Sequence, residues 1–291
     1  MIGLGYLATR CGIFDDQDSK RFVRLVLTFM LPPPLHVFGG LWSNLRRILI
    51  ANVPLIGWLM LSMTGCYFIM ILIYRFGLHN SRQLATLRAM SVANPSVPFI
   101  GSAVLPLLFS TSNSAITIGI CSLTVNIIML LIAFDALSSD RSPWKRLAAT
   151  FKKPLVIAAI LGFLLTLGGS KMPTQLTSTF DLLGKGASGV AIFAAGIVLG
   201  TRHLSFDKTI LTTVMMKNIV FPLVVLLIMM AVGVSHDLIR LVVIALAIPT
   251  ATMPSTLAIQ FNVNEKELAS TQFWSTACSL ITLSAFVLAL A

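Results

Sequence analysis

The chain has 291 residues, 56% of them hydrophobic and 11% charged, where an ordinary soluble domain carries roughly 25% charged residues. That composition excludes a water-soluble globular fold and describes an integral membrane protein, long enough for about ten spans of ~20 residues with short connections. The formal charge of +11 falls between apolar runs without interleaved exposed aromatics, so it reads as cytoplasmic loop bias, with no nucleic acid as partner. Cys11, Cys66, Cys121 and Cys278 are scattered without a C-x-x-C pair and supply neither a disulfide framework nor a metal site. No pattern in the chain calls for a cofactor.

Met1 to Ala8 is apolar, but Arg10 follows at once. As a helix this run covers only ~14 Å, half a span, and reads as a first helix whose opening turns are missing. It lacks the basic region of a signal peptide. Gly12 to Ser19 reads as a polar turn with helix-capping acids, with the next helix starting near Lys20. Span two, about Arg21 to Leu41, contains Leu31-Pro32-Pro33-Pro34-Leu35-His36, whose prolines open the helix in mid-membrane. His36 is either hydrogen-bonded to the kinked backbone or a titrating imidazole, the candidate coupling residue. Span three runs from about Leu49 to Tyr74, and a basic connection follows from Arg75 to Arg88. Arg88 reads as an interfacial anchor.

Span four, about Leu84 to Phe109, is interrupted by Asn94-Pro95-Ser96-Val97-Pro98. Each proline withholds an N–H and clashes with the preceding turn, so the helix must break there. In hydrocarbon the freed backbone groups are tolerated only inside protein or along a polar cavity, which makes the break a binding-site hypothesis. Span five, about Ser114 to Phe134, reads as continuous and carries Asn126, either interhelical glue or part of the site. A basic connection from Asp135 to Lys153 divides the chain.

Span six covers about Pro154 to Leu167. Span seven, about Leu182 to Leu199, carries Gly184, Gly186, Gly189, Ala194, Ala195 and Gly196, with Gly200 beyond it, a small-residue surface that lets another helix approach closely. Span eight, about Ile210 to Val232, holds Lys217-Asn218. Lys217 snorkels, pairs with a neighbouring carbonyl, or stands at or beside an anion site; a mid-membrane charge costs roughly 2.5–3.5 kcal/mol, which favours the last. Span nine, about Leu238 to Ile259, is broken by Pro249-Thr250-Ala251-Thr252-Met253-Pro254, and span ten runs from about Thr271 to Leu290. Paired broken spans in the two halves of a membrane chain point to a secondary transporter.

Counted over alternate connections, 15 of the 21 Lys and Arg fall on one side and five on the other, with Lys217 at depth. The rich side is cytoplasmic, which puts both termini in the periplasm and the protein in the cell inner membrane. Five spans precede the central loop, so the halves start from opposite faces. Residues 1–137 then form a first five-helix repeat, 138–153 a basic cytoplasmic loop and 154–291 a second, inverted repeat. One spacing agrees: Pro34 precedes Asn94 by 60 positions, as Gly189 precedes Pro249.

Several stretches together resemble the auxin efflux carrier family, which includes plant auxin exporters and bacterial malonate and malate permeases. They are Gly3-Leu4-Gly5-Tyr6-Leu7 with Arg10 and Gly12-Ile13-Phe14; Leu25 to Phe38, with three prolines where the family usually has one; Asn94 to Leu105; Ala194 to Gly200; and Pro249 to Asn262 with Ser275-Thr276 and Ser279-Leu280. The resemblance implies an all-α fold of ten transmembrane helices, the first truncated, in two inverted repeats with spans four and nine crossing at mid-membrane. It also implies a scaffold of spans one, two, six and seven, and a mobile unit of the rest moving like an elevator.

The expected function is secondary transport of a small organic anion, malonate-like by the resemblance, with efflux of a hydrophobic monocarboxylate as the alternative. Half-helix N-termini meeting at two breaks suit a carboxylate. The expected site is Asn94, Pro95, Ser96 and Pro98 from one break and Pro249, Thr250, Thr252, Pro254 and Ser255 from the other, with Lys217 and Asn126 beside it. An anion channel is a further alternative, which would use continuous polar helix faces rather than isolated breaks and show uptake that fails to saturate. An enzyme would need a nucleophile with its base or clustered ligands, which the spans do not show. Membrane lipid is the expected surrounding, and a homodimer is left open. The ten acidic residues, Asp15 to Glu267, lie in connections or near span ends. Symporters commonly place a carboxylate in the membrane, so this chain is expected to run as a uniporter.

Overall fold

The computed structural model describes residues 1–25, 52–137 and 205–290, together with Met30 and scattered positions between 182 and 201. The expectations for His36, the proline run of span two, the central loop and span six fall outside the described residues. Everything described is helix and connection, apart from one isolated β-bridge.

α1 (Ile2–Arg10) is as short as its apolar run requires. α2 (Asp16–Leu25) starts ahead of Lys20, because Asp15 caps it: Oδ1 accepts the N–H groups of Gln17 at 2.7 Å and Asp18 at 2.9 Å. The acids expected in a turn therefore belong largely to the helix. α3 (Val53–Leu72) runs on as a π-helical turn to Gly77. α4 (Arg82–Ala93), capped by Ser81, ends at the first break. A π-helical turn (Val97–Gly101) and α5 (Ser102–Leu108) follow. α6 (Thr111–Leu123) and α7 (Leu130–Leu137) are joined through a π-helical turn at Thr124–Met129. Span five is thus unbroken but not uniformly α-helical, and Asn126 sits in its wider turn. α8 (Lys208–Met215), capped by Asp207, passes through a π-helical turn (Met216–Val220) into α9 (Phe221–Ala231). α10 (His236–Ala247) ends at the second break, α11 (Met253–Phe261) leaves it, and α12 (Glu265–Ala289) closes the described chain. α12 starts ahead of Thr271, with Glu265 and Glu267 in its first turn, where the positive end of the helix dipole favours carboxylates.

Among the described residues four continuous helical runs are long and apolar enough to cross a membrane: Val53–Gly77, Ile116–Leu137, Lys208–Ala231 and Glu265–Ala289. α3 shows how such a run divides its surface. Leu55, Leu59, Met63, Tyr67, Met70 and Tyr74 recur at helical spacing and are buried, while Leu61, Ile69, Leu72 and Phe76 on other faces are exposed. A helix apolar all round yet buried on one face presents the rest to hydrocarbon. α10 is different: every residue from Leu241 to Ala247 is buried, so the half-helix entering the second break runs through the protein interior.

The small residues of span seven make the expected close contact, and their partner is α1. A Cβ on Gly5 would stand 2.2 Å from the Phe193 carbonyl oxygen, and one on Gly200 would stand 2.9 Å from that of Tyr6. Phe14, Phe22 and Phe193 add edge-to-face contacts with centroids 5.5–5.9 Å apart, tying α1, α2 and span seven together. Gly3, on α1 as well, has nothing within 4 Å of its would-be Cβ. Gly5→Ala is therefore expected to lower stability by about 1–3 kcal/mol through overpacking, whereas Gly3→Ala raises it by about 0.5–1 kcal/mol through helix propensity. Thermal melts of the two variants in one detergent read the opposite signs.

Candidate substrate site

α4 and α10 both end where proline arrives, and their extended breaks meet as an antiparallel bridge between Pro95 and Thr250. Ser96 N–H donates to the Pro249 carbonyl at 2.8 Å, and Ala251 N–H donates to that of Asn94 at 3.0 Å. The prolines have no N–H to extend the ladder.

One carbonyl orphaned at each break is met by a side chain. In a continuous helix Ser91 O would receive the N–H of residue 95, which is proline; it accepts Thr250 Oγ1 at 2.6 Å instead. Leu246 O would receive the N–H of Thr250, but that group donates to Ser275 Oγ at 3.0 Å, and Lys217 Nζ takes its place at 2.8 Å. Ser275 Oγ in turn donates to Asn218 Oδ1 at 2.7 Å, and Asn218 Nδ2 donates to the Ser275 carbonyl at 2.8 Å. This network joins α4, the α10–α11 break, α12 and the turn after α8.

Beyond the break, α11 begins at Thr252 with no side-chain cap, so its first N–H groups lack intrahelical acceptors. Pro254 is buried in this first turn, where proline is tolerated. The Thr256 hydroxyl donates to Thr252 O at 2.8 Å, and the single Ser255 hydroxyl proton is shared between Thr252 O, also at 2.8 Å, and the Gln272 side chain on α12.

The expected site residues divide into two groups. Thr250, Ser255 and Lys217 spend their polar atoms on the fold itself. Asn94, Ser96 and Thr252 are 2%, 3% and 7% exposed, and their side chains make no hydrogen bond among the described residues. Asn94 is thus a largely buried polar residue beside an uncapped helix N-terminus. Pro95 and Pro249 shape the bridge, the Pro98 backbone lies in the following π-helical turn, and half-buried Asn126 has no hydrogen bond to the crossing. Thr117 on α6, the helix packed against the Val97–Gly101 turn, is fully buried with its hydroxyl unpaired.

Gln272, Ser275 and Ser91 take part in the network without having been singled out as site residues. The signal for α12 was present as Gln272, Ser275 and Ser279, spaced i, i+3, i+7 on one face and all buried. Arg88 has a partner the sequence did not reveal. Nε and Nη2 reach Glu267 Oε1 and Oε2 at 2.6 and 2.7 Å, with both side chains about 10% exposed, and Asn264 also donates to Glu267. The pair ties the middle of α4 to the first turn of α12, as Arg82 and Asp135 tie α4 to α7.

The profile of a membrane transport protein family matches residues 1–143 and again 143–287, one break in each stretch. The chain belongs to this auxin efflux carrier-like family of membrane transporters. It is 30% identical over 274 residues to the uncharacterized transporter YfdV of Escherichia coli strain K12, covering 89% of this chain and 85% of that one. The proteins of the same name from Escherichia coli O157:H7 and Shigella flexneri match to the same extent.

Removing one member of the Arg88–Glu267 pair leaves a buried charge behind. Arg88→Met and Glu267→Gln are each expected to cost about 3–5 kcal/mol, and the double substitution much less. A double-mutant cycle on melting temperature checks this.

Proposed function

We propose that the chain is a secondary transporter of a small organic anion, and that the crossing of its two broken spans holds the anion's carboxylate. The observation that carries this reading is the Asn94 side-chain amide, buried and without a partner among the described residues, opposite the uncapped start of α11. Helix N-terminal N–H groups and a neutral amide bind a carboxylate without fixing it permanently, which suits a carrier that must release its cargo. Ser96 and Thr252 complete the set. A malonate-like dicarboxylate is the first substrate reading. The second, a hydrophobic monocarboxylate, is favoured by an apolar groove of about 320 Å³ between α3 and the Met216–Ile228 stretch, which reaches Val92 on α4.

The architecture proposed is ten spans in two inverted five-helix repeats, in the cell inner membrane with both termini periplasmic. The antiparallel sense of the bridge supports inversion. An elevator-like division is supported by the pattern of ties. Arg82–Asp135, Arg88–Glu267 and Asn218–Ser275 all join members of the proposed mobile unit, while α1, α2 and Phe193 pack on one another.

Asn94→Ala and Thr252→Ala are expected to abolish most substrate binding while leaving a folded protein. Each removes a partner of a buried carboxylate, about 1.5–3 kcal/mol or roughly 10- to 150-fold in Kd. Calorimetric titration with a panel of organic acids, malonate and indole-3-acetate included, measures this; undiminished affinity in both variants sinks the site.

With no carboxylate at mid-span, transport is expected to be uniport, driven by the anion gradient and by the membrane potential at ~2.3 kcal/mol per charge per 100 mV. A potential negative inside drives a net anion outward. Proteoliposomes under an imposed potential, without sodium or pH gradients, should show flux; flux that ignores the potential and needs one of those gradients refutes uniport.

A further inference from the structure

We propose that Lys217 is a covalently tethered substitute for a coupling cation: its ammonium fills a site between the two broken half-helices that would otherwise take a small monovalent cation such as sodium. This inference concerns the crossing itself and stands whatever anion is carried.

Three observations lead there. α4 and α10 both reach the bridge by their C-terminal ends, one stopping at Ala93 and the other at Ala247. Each such end carries roughly half a negative charge from aligned peptide dipoles and unsatisfied carbonyls. Two of them meeting inside the protein make a place where about one positive charge is favourable, and half-helix C-terminal ends with unwound carbonyls are where transporters coordinate cations.

Second, Lys217 is fully buried, its Nζ is 2.8 Å from Leu246 O, and that oxygen lacks its ordinary donor because the Thr250 N–H is diverted to Ser275. The ammonium also lies 5.4 Å from the centre of the Phe221 ring, a further cation-stabilising contact. Third, among the described residues no carboxylate pairs with Lys217. Its counter-charge is therefore the carbonyl field of the broken helices. On the other half-helix the orphaned Ser91 O is met by a neutral hydroxyl, so among the described residues Lys217 is the cation that reaches these two ends.

The test is thermal melting of the purified protein in choline, sodium or methylammonium chloride at equal ionic strength. Wild type is expected to melt alike in sodium and choline. Lys217→Ala should melt lower in choline and recover saturably in sodium or methylammonium. Lys217→Gln keeps a donor without the charge and should stay low in choline.

Saturable stabilisation of wild type by sodium overturns the proposal. So does a Lys217→Ala variant blind to small cations, or a Lys217→Gln variant as stable as wild type. If Lys217→Ala does not fold in choline, its yield of folded protein on extraction in sodium or methylammonium decides: rescue supports the tethered cation, and failure of rescue overturns it.

Discussion

The constraint on which the rest of this structure depends is the shortage of backbone donors at two proline-interrupted helices in a medium that supplies none. Water would satisfy the orphaned carbonyls of Ser91 and Leu246 at no structural cost. Inside a membrane protein each unsatisfied group is expensive, so the fold must bring donors from elsewhere. It does so with Thr250, Lys217 and, one step back, Ser275 and Asn218. These bonds run between segments far apart in the chain. The breaks thus dictate which helices become neighbours, and the polar contents of otherwise apolar spans are accounted for by that demand.

The same constraint separates structural polarity from functional polarity. A polar side chain that answers an orphaned backbone group is finished with its work, as Thr250 is. Asn94, equally buried, has no side-chain hydrogen bond to another described residue. Satisfied donors build the crossing.

Around the crossing, charge is placed where it holds elements together. Arg88 and Glu267 close a two-pronged pair across α4 and α12, and Arg82 reaches Asp135 across α4 and α7. Both join helices that carry or brace a break. Elsewhere α1 meets span seven through backbone proximity at Gly5 and Gly200.

The sequence by itself determined the membrane class, the family resemblance, the position of both breaks, the short first helix and the small-residue face of span seven. All of these follow from local chemistry: apolar run length, the missing N–H of proline, and the bulk of a Cβ. It also singled out Asn94, Ser96 and Thr252, because polar residues between prolines are conspicuous in an apolar run. Only the tertiary structure decided that the two breaks pair with each other, that Lys217 caps Leu246 and that Arg88 binds Glu267. It alone separated Thr250 and Ser255, already engaged, from Asn94, which has no partner among the described residues. A hydrogen bond joins atoms distant along the chain, and neither period nor propensity records which donor will reach which orphan. The π-helical turns within spans five and eight were hidden for a related reason. Their residues, Thr124–Met129 and Met216–Val220, continue the apolar run of the helices on either side, so run length alone does not mark them.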